Sequence, residues 1–595
     1  MIGPENETNP TQVQLTRTER GPILDRNGHL MAVQTRLFSV TVWTPDVTNP
    51  DETALLLSDI LGINSEDLYT KLTTPDRFYY IKRKITLAET EEIRNCFLDG
   101  KLAGIELDAE PGRHYPEKEL ASHVLGYVGI DNVGLNGLEY IYNDILLPSD
   151  IGRRGQVVYG NQIYLTIDIN SQYITEKIAQ EAFEEHQPDI LMAVVMEAKT
   201  GDILSYVSLP SFDPNNYGNY SESARNNRVA TYTYEPGSVF KMFTLSSIMN
   251  QGGITYTDEF DTTGGYNPEL FQENNIQKIT DLSPYGTINL QEILIHSSNV
   301  GSAYASDSIS RRDLYNQLSM FGFGEPVGLP FNGESHGLFN SPENWSARSK
   351  PTITFGQEIG VSAIQMVTAA TVFANSGLLL EPHIIKRITS SDGTVLQEFN
   401  RTPVREVLSA DVADSFLEML EQVVSSDQGT ARLARIDGFP ISAKSGTAQM
   451  TDPATGRYDE EKFVASVMAI FPTDDPQLIV YVVLVNPKGP IYYGGSIVSP
   501  IIKDIALQLS PLNNIALPEN EVIEHSGSMT VNKPVELNSG DTIPNFIGLS
   551  KREAISFFEN SECDLNYEGN GWVTFQFPPE GETIEDDTII FLKFE

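Results

Sequence analysis

Ser238 and Lys241 stand three residues apart in YEPGSVFKMFTLSSIMN, where the apolar spacing predicts a helix, so both side chains fall on one face. A serine hydroxyl is a poor nucleophile until a neighbouring base takes its proton, and a lysine is that base only when neutral. Holding half of a lysine neutral near pH 7 works against its ordinary basicity by roughly 4.6 kcal/mol, which burial beside a second cation supplies. Val239, Phe240, Met242, Phe243 and Leu245 make this a core helix, and a core lysine must be paired or neutral. Alone, the same spacing also fits a serine helix cap followed by a solvated lysine.

Two later elements favour the chemical reading. Ser297 and Asn299 follow the apolar run LQEILI, and a serine-x-asparagine element can pass a proton and hold an amide. His296 beside them is read as structural, since serine–lysine chemistry needs no histidine. In GFPISAKSGTAQM a short β-type run carries Lys444, Ser445, Gly446 and Thr447, whose glycine lets another backbone approach while the strand offers main-chain hydrogen bonds to an extended peptide. Lys444 supplies positive charge for a carboxylate and depresses the pKa of Lys241. Each element by itself is an ordinary cap or turn; S-x-x-K, S-x-N and K-S-G in that order form a recognised catalytic triplet.

The elements that position these residues are strands and helices in mixture. ILMAVVMEAKTGDILSYVSLPSF reads as two strands around a Lys199–Asp202 turn, QLIVYVVLVNP as a buried strand, and SPIIKDIALQL as a closing helix. Strands at both ends of this stretch, with helices between, predict an α+β sheet whose terminal strands lie together. Ahead of it, Asn27-Gly28 signals a hairpin, LFSVTVWTP a strand, and ETALLLSDILGI and AETEEIRNCFLDG helices; this region shows no nucleophile–base grouping. The expected division is a β-rich pedestal over 1–160, a catalytic domain over 161–512, a polar linker over 513–540 and a small α+β module over 541–595. At 595 residues such a multidomain plan is the default.

Composition narrows the partners. The chain has 81 acidic and 40 basic side chains, a formal charge of −41, which repels phosphate backbones, so no nucleic acid partner is expected. With 40% hydrophobic residues the acidity belongs to a solvated globular surface. Cys96 and Cys563 are read as separate thiols, and the 8 histidines lack metal-ligand spacing, so no metal or cofactor is expected. No stretch approaches the roughly 18 apolar residues of a membrane span, and the opening MIGPENETNPTQVQ has no signal-peptide pattern.

The text around the motifs resembles the class B penicillin-binding proteins. RGPILDRNG, RHYPEKELASHVLGYVG, GLNGLEYIYNDIL and LTIDINSQ are similar to the family's N-terminal signatures, EPGSVFK, SSNVG and KSGTAQ to its three active-site motifs, and PNFIGLSKREA with GNGWVTFQFPPEG to a PASTA domain. The resemblance implies a pedestal of the dimerisation type, a penicillin-binding transpeptidase domain with an antiparallel sheet flanked by helices, and a wall-binding or regulatory module. It implies a DD-transpeptidase that cross-links peptidoglycan during septal wall synthesis through an acyl-serine and is inhibited by β-lactams. Ser238 would attack, Lys241 act as base, and backbone N–H groups of Ser238 and Thr447 form the oxyanion hole. Ser297 and Asn299 would relay the proton and bind the donor, and Lys444, Ser445 and Thr447 hold its carboxylate beside Gly446.

The implied partners are stem peptides, as D-Ala-D-Ala donor and amine acceptor, β-lactam antibiotics, a SEDS-type glycan polymerase and division proteins. The implied location is extracytoplasmic, with an N-terminal membrane anchor preceding residue 1. Ser445 stands where many relatives have threonine, and Ser496 where they often have glycine; neither removes a catalytic group. The absence of a glycosyltransferase domain speaks against the class A proteins. Competing readings are an elongation-type transpeptidase, a DD-carboxypeptidase or β-lactamase using the same residues, and a non-catalytic wall-sensing scaffold. A lysine kept on an apolar helix beside a second lysine argues against the scaffold.

Overall fold

The computed structural model describes residues 17–148, 157–452, 455–518 and most of 542–594. Residues up to 518 form one compact unit and those from 519 a second. Cys563 and most of the proposed linker lie outside the described residues; Cys96 is a half-buried free thiol.

In the pedestal, the long strand β1 (Leu30–Trp43) pairs antiparallel with β2 (Phe78–Ile85) and with β3 (Ile105–His114). Helices Pro50–Leu61, Ser65–Leu72 and Leu87–Leu98 pack beside them, and Val40, Val42, Leu57, Leu68, Ile85 and Ile93 close a separate small core. The expected hairpin is present: Gly28 takes φ +94° between Ile23–Leu24 and β1. The same sheet continues through Ile23–Leu24, Gln162–Leu165 and Ile385–Thr389, so a segment from late in the chain forms part of the pedestal's base.

Three motif segments meet around Glu139, one of them through Arg113 of β3. Its carboxylate accepts from Arg20 Nε and Arg113 Nε, each at 2.6 Å, and all three side chains are fully buried. Asn143 Oδ1 and the carbonyl of Gly21 take further guanidinium protons, at 2.9 and 2.8 Å. Planar forks matched to one carboxylate let two arginines leave water together.

The central sheet is built from β4 (Ile190–Glu197), β5 (Ile203–Leu209), β6 (Ser442–Thr451), β7 (Tyr458–Phe471) and β8 (Leu478–Val485), in the order β5-β4-β8-β7-β6 and antiparallel throughout. The first and last strands pair as expected, Ile190 opposite Val485. Every residue of β8 is buried because helices cover both faces, which explains its unbroken apolar run. Helices α1 (Ile169–His186) and α7 (Ser499–Leu512) lie together on one face; α2 (Lys241–Asn250), α3 (Leu290–His296), α4 (Asn299–Ala305), α5 (Ala363–Ala374) and α6 (Ala410–Ser425) build the rest, with α5 and α6 packed against the sheet. One continuous core runs from Ile23 to Ile515.

The second unit is a three-stranded sheet of β9 (Asp564–Gly569), β10 (Val573–Phe577) and β11 (Ile589–Phe594), ordered β9-β11-β10. Ile543, Phe546, Val573, Ile590, Leu592 and Phe594 form its core. Among the described residues no helix is long and apolar enough to cross a membrane.

Candidate active site

Ser238 sits in the short 3-10 turn Gly237–Phe240 that runs directly into α2. Pro236 and Gly237 set the turn: Gly237 takes φ +58°, and a Cβ there would stand 2.9 Å from the carbonyl oxygen of Thr447. From the other side Gly446 presses against the turn, where a Cβ would meet Val239 Cγ2 at 2.7 Å and Pro236 O at 2.9 Å. Two glycines facing each other thus bring strand β6 flush against the serine turn, the close approach that the glycine in KSGTAQ predicts.

Lys241 begins α2 and is completely buried, as is Lys444 in β6. Lys241 Nζ donates to the carbonyl of Ser297 at 2.5 Å and to Asn299 Oδ1 at 2.8 Å, and lies 2.9 Å from Ser238 Oγ. Both acceptors lack protons, so they take two N–H bonds, and the remaining valence of the nitrogen faces the serine. In the neutral amine that valence is a lone pair. Ser297 Oγ lies between the two lysines, 3.2 Å from Lys241 Nζ and 3.0 Å from Lys444 Nζ.

The backbone that presents Ser297 is itself unusual. Ser297 ends α3 at φ +59°, a left-handed conformation that serine adopts rarely, and Ser298 at once caps α4 by accepting from Gly301 N at 2.9 Å. Only Ser297 and Ser298 separate the two helices, and the Ser297 carbonyl accepts from Lys241 Nζ. Strain of this kind persists where surroundings enforce it.

Burial is the main force depressing the Lys241 pKa well below its ordinary value; the Lys444 charge adds to it and Asp281 opposes it. Burial brings Lys444 down to about 7. Both shifts favour the neutral amine, and at Lys241 the charge of the second lysine reinforces the effect of burial.

The cleft above these groups has a volume of about 610 Å³ and is lined by Ser238, Ser297, Asn299, Ser445, Gly446 and Thr447. Gly494 N donates to Thr447 Oγ1 at 3.0 Å, fixing that side chain. All eight residues singled out in the sequence thus converge here. His296, read as structural, lies on the cleft wall stacked on Tyr285, with ring centroids 4.6 Å apart. Sequence reasoning missed Asp281: its carboxylate accepts from Ser298 Oγ at 2.6 Å and from the backbone N–H of Asn299 and Val300 at 2.6 and 3.1 Å, seating the S-x-N turn. An aspartate in a polar loop gives no local signal of that role.

Comparison with known proteins agrees with this geometry. Residues 191–507 match the penicillin binding protein transpeptidase domain, 16–173 the penicillin-binding protein dimerisation domain and 541–595 the PASTA domain. The chain is 30% identical to stage V sporulation protein D of Bacillus subtilis, over 96% of this chain and 89% of that protein. It is 26% identical to the peptidoglycan D,D-transpeptidase FtsI of Escherichia coli, covering 84% and 85%. Its fold is that of penicillin binding protein 3 from Mycobacterium tuberculosis, solved with aztreonam, at TM-score 0.68 and 24% identity, covering 84% of this chain and 98% of that one. Penicillin binding protein 2X of Streptococcus thermophilus matches at TM-score 0.66 and 23% identity, covering 98% and 91%. With all three regions in order along one chain, the protein belongs to the penicillin-binding proteins, as a class B peptidoglycan DD-transpeptidase with a C-terminal PASTA domain.

Proposed function

We propose that Ser238 attacks the carbonyl between the two terminal D-alanines of a stem peptide and that Lys241 takes its proton. The observation that carries this is the Lys241 amine 2.9 Å from Ser238 Oγ, with two of its valences committed to Ser297 O and Asn299 Oδ1. Backbone N–H groups of Ser238 and Thr447 stabilise the oxyanion. Asn299 orients the donor amide, Ser297 relays the proton toward the departing amine, and Lys444, Ser445 and Thr447 hold the terminal carboxylate beside Gly446. D-Alanine leaves, and an amine of a second stem attacks the acyl-serine, forming the cross-link and returning the proton to Ser238.

The domain limits 1–160, 161–512, 513–540 and 541–595 belong to the same reading. Peptidoglycan places the reaction outside the cytoplasmic membrane, and we propose an N-terminal anchor there. The PASTA module and the FtsI-type relatives support septal synthesis with a SEDS-type polymerase and division proteins; unaltered polymerase binding after deletion of residues 1–160 would count against that partnership. The sporulation relative, which matches along nearly the whole chain, supports spore-wall synthesis as the second reading.

Intact-protein mass spectrometry after incubation with a fluorescent penicillin tests the chemistry. A persistent one-to-one adduct on the wild type, absent in Ser238→Ala, is expected. No adduct on the folded wild type favours the scaffold, and rapid release of hydrolysed penicillin favours a β-lactamase.

A further inference from the structure

One cation in the cleft has no part in the steps above. Arg432 lines the cleft as an exposed residue at the start of a short 3-10 turn, Arg432–Ala434, and the fully buried Ala431 before it and Ala434 at its end fix the backbone there. Among the described residues it forms no ion pair; its hydrogen bond is to the carbonyl of Gly429 at 3.4 Å, at the outer limit for such a bond. Arg435, three residues on, pairs with Asp427, whereas Arg432 pairs with no carboxylate among the described residues, although Asp281 and Glu460 line the same cleft. In a chain of net charge −41, an unpaired guanidinium in a substrate cleft stands against the surrounding field.

The turn's place in the cleft follows from two contacts. Thr430 N donates to the carbonyl of Ile295 at 3.2 Å, which ties the loop to the end of α3 just before Ser297. A Cβ built on Gly495 would lie 1.9 Å from Thr430 O and 3.8 Å from Ser445 Cβ, so Thr430 and Ser445 flank one narrow gap. Thr430 Oγ1 is buried in this wall with no hydrogen-bond partner, although a buried hydroxyl without one is costly. Thr430, Arg432, Ser445 and Thr447 all line this cleft, and Thr430 and Ser445 flank Gly495 on the side where the donor's terminal carboxylate is proposed to sit. Their shared chemistry is that of a carboxylate site, planar and multidentate.

The departing group in this reaction is an α-amino acid of D configuration, an amine with a carboxylate on the adjacent carbon. The acceptor amine attacks from the space that group vacates, and the forward and reverse steps share one transition state. A site that grips the leaving carboxylate therefore also grips the acceptor's, if it has one. We propose that Thr430 and Arg432, with Ser445 and Thr447, form a carboxylate site on the leaving-group side of Ser238 that selects, as acceptor, an amine carrying a neighbouring carboxylate, the amine end of a D-α-amino acid centre. A lysine side-chain amine lacks that carboxylate. In the step, the acceptor nitrogen bonds to the acyl carbon, the Ser238 Oγ–carbon bond breaks, and the proton lost by the nitrogen passes through Lys241 to Ser238 Oγ. This rests on Ser238 as the nucleophile and on Ser445 and Thr447 as carboxylate holders.

The test uses the full chain, an N-acyl-D-alanyl thioester donor whose thiol carries no carboxylate, and three acceptors: D-alanine, D-alaninamide and Nα-acetyl-L-lysine. Transfer is divided by hydrolysis for each acyl-enzyme and corrected for the neutral fraction of each amine. The wild type is expected to favour D-alanine, and Arg432→Gln to shrink that preference by about tenfold, as loss of a charge-assisted contact does. Arg432→Lys keeps part of it. Because the readout is a ratio within one acyl-enzyme, unfolded molecules do not enter it. A wild type that accepts D-alaninamide or the lysine amine as readily, or a ratio unchanged in Arg432→Gln, overturns the proposal while leaving the acyl-serine chemistry intact. Failure of the wild type to form any acyl-enzyme overturns the underlying reading instead.

Discussion

Two clusters among the described residues each bury a pair of cations, and they satisfy them in opposite ways. Within the pedestal, Arg20 and Arg113 share the Glu139 carboxylate at 2.6 Å each, and neutral acceptors take further protons. In the active site, Lys241 and Lys444 are as deeply buried but meet hydroxyls, carbonyls and an amide. Arginine cannot shed its proton, so a buried pair of arginines needs a counter-charge, here the Glu139 carboxylate; lysine can, so burial without a carboxylate favours the neutral amine. The pedestal cluster holds its charges in place, and the active site expels one.

The largest expected effects separate the two regions by what is lost. Lys241→Met should slow acylation by a fluorescent penicillin by about a thousandfold or more, since the serine loses its proposed base. The variant should unfold at a temperature no lower than the wild type. The folded state holds the Lys241 pKa below its unfolded value, so burial of the amine opposes folding at every pH below the unfolded pKa. A variant that both loses acylation and melts early would put Lys241 with the structural cations.

Glu139→Gln makes the opposite cut. Two guanidiniums would remain buried without their counter-charge, a loss of about 3–5 kcal/mol in stability by urea denaturation. Penicillin acylation per folded molecule should be retained. Stability within about 0.5 kcal/mol of the wild type would mean that the cluster is no more than a surface pair in its energetics.

Lys444 sharpens the comparison through pH. Its charge disfavours protonation of Lys241, so Lys444→Gln raises the Lys241 pKa and moves the acid limb of the acylation profile to higher pH. Loss of the cation should also slow acylation by about a hundredfold near neutrality. In the wild type, acylation by carboxylate-bearing donors should weaken as pH rises through about 7, where free Lys444 gives up its proton, whereas a carboxylate-free thioester should show no such fall. Identical alkaline limbs for the two donors would remove Lys444 from carboxylate binding.

How much of this was legible in the sequence follows the same division. Ser238, Lys241, Ser297, Asn299 and Lys444 announce themselves because each proposed catalytic group sits in a short motif beside apolar neighbours that demand burial, and burial favours a neutral, basic lysine. The pairing of β4 with β8 was legible for a related reason: unbroken apolar runs at both ends of a domain have to share one core. The Arg20–Glu139–Arg113 cluster was not, since its members come from three separate segments and only folding brings them together. Nor was the strand Ile385–Thr389, whose half-buried sequence gives no sign that it joins the pedestal sheet. Asp281, Thr430 and Arg432 come from loops, where side-chain direction is set by distant contacts and no periodicity exposes it.

Asp281 is the residue on which the two strategies touch, and it carries the smallest expected effect. It is the carboxylate acting on Lys241, yet it does so from the N-terminus of α4, binding Ser298 Oγ and two backbone N–H groups while the amine itself meets neutral atoms. Its charge favours the protonated lysine, so Asp281→Asn should move the acid limb of acylation to lower pH. The amide still accepts from a backbone N–H but no longer as an anion at a helix N-terminus, which costs about 1 kcal/mol in stability. If the limb moves to higher pH instead, Asp281 acts by holding Asn299 against Lys241, and geometry outweighs charge at this distance. A pedestal-like carboxylate placed directly on the lysine would fix the proton there; one held back by a helix turn tunes the base without capturing it.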